Sequence, residues 1–260
     1  MKNKWLLALA GLCFWTACKK DQNPITGGKN NEIIIASSKE QPGIGNSEGL
    51  PQVDSLELPE GLEWVRRPDF PFQTDIQFLY GNNNTFYADV HLINHRPDTL
   101  TLELPGGLIC LFDREGGYQH GLLTSTVRIQ VPPTYLDILN PDTTTAYLGL
   151  VCLNQHLALP WDENQSWDTQ DYPIGKDMYK VYGITQDPNL MQMVRLLAQY
   201  PKLKVTQHYN PQEMFEEDYV APAWLVIYHK IQHAFWKITD GPGLTRKEYQ
   251  ELLEALKAYQ

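Results

Sequence analysis

Phe86-Tyr-Ala-Asp-Val-His-Leu-Ile-Asn94 alternates large apolar with polar residues, the period of a strand with one face buried. Arg96-Pro97-Asp98 turns the chain, and Leu100-Thr-Leu-Glu-Leu104 alternates again before Pro105-Gly106-Gly107. Leu108-Ile-Cys-Leu-Phe112 is a continuous apolar run, suited to a strand buried on both faces. Asp113 to Gly117 reads as a hairpin turn, Thr126 to Val131 as a strand stopped by Pro132-Pro133, and Thr145 to Leu153 as a further strand. Short strands between frequent turn signals predict a β-sandwich of immunoglobulin-like architecture over residues 60–155.

Downstream the signal changes. Residues 161–182 form a polar loop with Trp161, Trp167, Tyr172 and Tyr179, whose rings suit either burial over a junction or stacking on a sugar. Burial is the favoured reading. Asp187-Pro188 starts a helix that places Leu190, Met193, Val194 and Leu197 on one face and closes at Pro201. A long helix follows over about 219–239, and Thr245-Arg-Lys-Glu248 is the capping box of a last one. The expected class is therefore α+β, with an N-terminal sandwich and a helical part over 156–260.

Upstream, residues 18–59 are rich in Asn, Gly, Ser, Pro, Gln and Glu and predict a flexible tether, with Ile33-Ile-Ile-Ala36 a chance apolar cluster. Residues 1–17 begin with Lys2 and Lys4, continue through a short apolar stretch and end in Thr16-Ala17 before Cys18. That stretch is too short for a comfortable span and has the flanks of a signal peptide. With its cysteine, the segment resembles a bacterial lipoprotein signal, and the Lys19-Lys20-Asp21 that follows resembles the export signal of Bacteroidota-type surface lipoproteins. The resemblance implies lipidation of Cys18, a membrane partner reached through the lipid anchor, and an outer-membrane location facing either the periplasm or the outside. Asp54-Ser55-Leu56, Asp98-Thr99-Leu100 and Asp142-Thr143-Thr144 resemble the short O-glycosylation acceptors of the same bacteria.

The 260 residues carry 21 Lys+Arg against 31 Asp+Glu, a net charge of −10. No basic patch stands out, so nucleic acid is not an expected partner. No phosphate-binding loop, dinucleotide fingerprint or Gly-x-Ser-x-Gly motif is present, and no cofactor is expected. His229 and His233 have metal-ligand spacing, but Lys230 stands where a zinc protease has its glutamate, and nothing places His208 beside them. No metal is expected.

Two short motifs remain. Ile231-Gln232-His233-Ala234-Phe235-Trp236 is an apolar residue, a glutamine, two residues and an aromatic pair on a mostly apolar helix, and Val151-Cys152-Leu153 is a cysteine among apolar neighbours upstream. Together they resemble bacterial surface thioester domains, whose cysteine and glutamine side chains join covalently. The resemblance implies a Cys152–Gln232 bond, shielded by Tyr228 and Trp236, that a target amine can open. A Cys110–Cys152 disulfide competes for the same thiol, because an exported protein meets an oxidising compartment. Ordinary packing of Cys152 is a third possibility. The first functional expectation is thus a non-enzymatic envelope lipoprotein that binds an unknown protein or glycan ligand. A covalent thioester adhesin comes second, and an envelope hydrolase with an unrecognised site third.

Overall fold

A computed structural model of the chain describes residues 30–67, 79–83, 85–113, 117–135, 143–159, 177–205 and 217–260. Cys18 and the signal segment lie outside the described residues, as do Trp161, Trp167, Tyr172 and His208. The fold is mostly β, with a curled, largely antiparallel sheet and three short helices.

The strands are β1 (Ile33–Ala36), β2 (Val53–Asp54), β3 (Leu62–Val65), β4 (Leu79–Tyr80), β5 (Phe86–Asn94), β6 (Leu100–Leu104), β7 (Leu108–Phe112), β8 (Gly121–Leu123), β9 (Val127–Val131), β10 (Thr144–Cys152), β11 (Tyr179–Thr185) and β12 (Gly243–Thr245). The main sheet runs β2-β11-β7-β8-β10-β5-β3, with β4 beside β10 in a parallel pairing. The apolar runs in β7 and β10 occupy interior positions of this sheet, where both faces are covered. A separate pair, β6 and β9, has the alternation read from sequence. Leu102, Leu104, Val127, Ile129 and Val131 are buried, and Glu103, Arg128 and Gln130 face water.

Helix α1 (Pro188–Leu197) begins at Asp187, whose carboxylate accepts from the backbone N–H groups of Asn189 and Leu190. Helix α2 (Ala223–Thr239) starts after Pro222, later than its hydrophobic pattern, because proline fits a helix start and not its interior. Helix α3 (Arg246–Leu256) carries the expected capping box between Thr245 and Glu248. Two apolar clusters result. One lies inside the curled sheet, between β5, β10 and the β6–β9 pair. The other lies between the helices and Ile109, Leu111, Leu122, Val151 and Leu153 of the sheet.

The described part of the expected tether is folded. β1 pairs with β12, and β2 pairs with β11. Ile35 and Ile44 are fully buried in the helical cluster and Ile34 is half-buried against it, so part of the Ile33–Ala36 run is core rather than chance, although Ile33 and Ala36 are exposed. The apolar area of these isoleucines outweighs the turn-rich composition around them, which needs only backbone bonds and glycines to be ordered. The division at residue 155 also differs from the structure. β11, from the stretch expected to be an aromatic-rich loop before the first helix, pairs along most of its length with β7.

Candidate functional site

Strand β10 and helix α2 bring Cys152 and Gln232 together across 80 residues of chain. Cys152 is the last residue of β10. Its neighbour β5 begins at Phe86, opposite Leu150, so no β5 residue pairs with Cys152. Leu153 donates its N–H to His120 on the β8 side, and strand alternation turns the polar groups of Cys152 the other way. Gln232 meets them there. The Cys152 N–H donates to Gln232 Oε1 at 2.8 Å, and Gln232 Nε2 donates to the Cys152 carbonyl at 3.0 Å. The side-chain amide extends the ladder by one rung where the sheet runs out.

Both residues are sealed. Cys152 is fully buried and Gln232 is 3% exposed. Tyr228, Gln232 and Trp236 are spaced four apart and form one stripe along α2. Tyr228 is buried among the helices and donates its hydroxyl to the Lys204 carbonyl at 2.6 Å. Trp236 is half-buried and differs from the buried side chains of α2, because it packs against the cluster inside the sheet. Cys152 belongs to that same cluster, whereas Val151 and Leu153 point to the helical one. The stripe therefore places Gln232 at the end of β10, on the Cys152 backbone, and Trp236 against the cluster to which Cys152 belongs. A turn over residues 38–47 closes the corner, where Gly45 donates its N–H to the Leu153 carbonyl and Asn154 donates its amide to the Gly43 and Gly45 carbonyls.

Cys110 and Cys152 are not joined to each other, so the candidate disulfide is not formed. Gly121 of β8 pairs with Cys110 on one side and with Cys152 on the other. Two strand spacings put the cysteines about 9.5 Å apart, beyond the roughly 7 Å that a disulfide spans. A side chain at Gly121 has no room, since its Cβ would come within 2.6 Å of Leu150 and Phe86. Burial pushes the Cys110 thiol up to about 12 and the Cys152 thiol well above its ordinary range.

The chemistry of the Cys152 pair follows from its hydrogen bonds. The donor to Gln232 Oε1 is the backbone N–H of the residue that carries the thiol. An N–H on a carbonyl oxygen polarises the carbonyl toward nucleophilic attack, as the nucleophile's own N–H does in an oxyanion hole. Gln232 Nε2 is held on the Cys152 carbonyl. Water is excluded from both groups, which is the condition under which an acyl–sulfur bond survives.

A second polar cluster was not legible in the sequence. Asp89 and His91 are two apart on β5, and Thr145 of β10 lies directly opposite His91. His91 Nε2 is 3.1 Å from Asp89 Oδ2, and its Nδ1 is 2.9 Å from Thr145 Oγ1. Asp89 also accepts the Asp177 N–H through both oxygens, at 2.7 and 2.9 Å. Asp177 holds a left-handed backbone (φ 56°), rare outside glycine, and is clamped by Arg66 through Nε to its carboxylate at 2.9 Å and Nη2 to its carbonyl at 2.6 Å. The Asp177 hydrogen bond is the main cause that raises the Arg66 pKa, and the Lys180 hydrogen bond, with help from Arg66, lowers that of Asp113. Strand alternation in Phe86–Asn94 is the one sequence signal that puts Asp89 and His91 on a common face. It does not say that Asp177 comes to meet them.

His229 and His233 lie on the exposed side of α2, along an open groove of about 640 Å³ toward α3 that Trp236 and Leu252 also line. Among the described residues no cluster of side chains is arranged to hold a metal ion, and no helix is long and apolar enough to cross a membrane. Tyr179, from the aromatic loop, is buried against Phe86 and donates its hydroxyl to the Gln119 carbonyl. Compared with known families, curated proteins and solved structures, the chain shows no match.

Proposed function

We propose that this chain is a lipid-anchored adhesion protein of the cell envelope that holds its target covalently, through an internal thioester between Cys152 and Gln232. One observation carries the reading: the buried Gln232 carboxamide sits on the backbone of Cys152, with its oxygen polarised by the Cys152 N–H at 2.8 Å. In forming the bond, the Cys152 sulfur attacks Gln232 Cδ, the Cδ–Nε2 bond breaks, and the thiol proton leaves with the nitrogen as ammonia. A primary amine on the target then attacks the same carbon, an amide forms, and its proton returns the sulfur to a thiol. The lipid on Cys18 provides the anchor. The curled sheet and helices are read as a sandwich-like α+β unit that presents this site.

The second reading is a non-covalent envelope binding protein, in which Gln232 is a structural rung. What favours it is that both polar ends of the carboxamide already have partners and that burial disfavours the Cys152 thiolate. The intact mass of the mature chain, with and without methylamine, separates the two. A deficit of one ammonia, replaced by one methylamine and absent in Gln232→Ala, establishes the thioester. The full unmodified mass leaves the non-covalent reading.

A further inference from the structure

We propose that the indole N–H of Trp236 is the second hydrogen-bond donor to the Gln232 acyl oxygen while the thioester forms and opens. The proposal rests on the thioester reading above and adds a catalytic residue to it.

Four observations converge on Trp236. First, its Nε1 is buried without a hydrogen-bond partner among the described residues. A buried unpaired donor is costly, and tryptophan N–H groups ordinarily find an acceptor when buried. Second, Trp236 stands one helical turn from Gln232 on the same stripe. Third, its half-buried ring packs against the apolar cluster to which Cys152 belongs. Fourth, the acyl oxygen already has one donor, the Cys152 N–H, and a carbonyl oxygen has capacity for two.

These fit one chemical need. When the sulfur attacks Cδ, the carbonyl oxygen gains negative charge, in a site from which water is excluded. A single N–H satisfies it poorly. The proposed step needs Gln232 to turn from the strand plane toward the cluster that holds the thiol and against which Trp236 packs. The indole N–H then gains the acceptor it lacks at rest, which is stabilisation of the transition state in preference to the ground state. The same donor serves the reverse sense, when an amine attacks the thioester and the C–S bond breaks.

The test compares the mature wild-type chain with Trp236→Phe, which keeps an aromatic shield and loses the N–H. A chain with 3-benzothienylalanine at position 236 keeps the full ring shape and loses only the N–H. Ammonia loss after folding and methylamine capture are followed by intact mass, with thermal midpoints measured alongside. Loss of one oxyanion donor slows such steps by about 100-fold or more. The expected result is that both chains form and discharge the thioester at least about 100-fold more slowly than wild type, with the benzothienyl chain retaining the wild-type midpoint. Wild-type rates in the benzothienyl chain overturn the donor role and leave Trp236 as a shield. Full unmodified mass in the wild type alone overturns the thioester reading and the donor role with it.

Discussion

Gln232 makes the hydrogen bonds to Cys152 that the next residue of a neighbouring strand would make, accepting one from its N–H and donating one to its carbonyl. Truncating Gln232→Ala leaves two buried backbone groups without partners. The expected loss is about 2–4 kcal/mol, read as a lower urea midpoint. Cys152 then titrates as one free thiol in the unfolded chain. A variant as stable as wild type would show that water or another side chain replaces the amide.

Gln232→Glu tests the same pair through pH. Only a protonated carboxyl can accept from the Cys152 N–H and also donate to its carbonyl. The folded state therefore raises the pKa of this Glu above its unfolded value of about 4.3. Stability that is present below that value is lost as pH rises through the folded pKa. Urea midpoints of the variant should fall between acid and neutral pH relative to those of wild type. A difference that stays flat over this range would mean that the carboxylate leaves the interior.

At the other end of the sheet, Asp89 accepts from His91 and from the Asp177 N–H. Asp89→Ala removes both bonds and a support of the left-handed Asp177 backbone. A destabilisation of about 2–4 kcal/mol is expected. Asp89→Asn keeps an acceptor oxygen for one of the two bonds and should lose less. Equal stability of the two variants would show that the site is loosely held.

The stretch from β1 to β2 should resist proteases. Ile35 and Ile44 are buried, and the Ser38 N–H donates to the Ile238 carbonyl. Limited trypsin digestion should spare the bond after Lys39 at protease levels that cut the urea-unfolded chain there. Gly45→Ala should expose that bond. Gly45 has a φ of +59°, and a Cβ there would stand 2.1 Å from the Thr239 carbonyl oxygen. Rapid cleavage after Lys39 in the wild type would restore the tether reading.

Much of the local structure could be read from residue order. Alternation marked β5, β6 and β9, Asp187-Pro188 marked the start of α1, and the capping box marked α3. Each rests on a period or a cap within a few residues, where local sterics and hydrogen bonding decide. The assignment of 18–59 as tether failed in its described part for the complementary reason. β1 and β2 are short, and their strand partners β12 and β11 lie far along the chain, so no local pattern announces them.

For the site, the two motifs named Cys152 and Gln232 as partners. They were silent on which atoms would touch, and they left the disulfide as a competitor. The tertiary structure decided both. β8 enters between the two cysteines at Gly121 and holds them two strands apart, and β5 stops at Phe86 and leaves an empty rung for Gln232. Strand order and strand length depend on what the whole core buries. A helical stripe or an alternating run can therefore be read from its own residues, but the neighbour that meets it cannot.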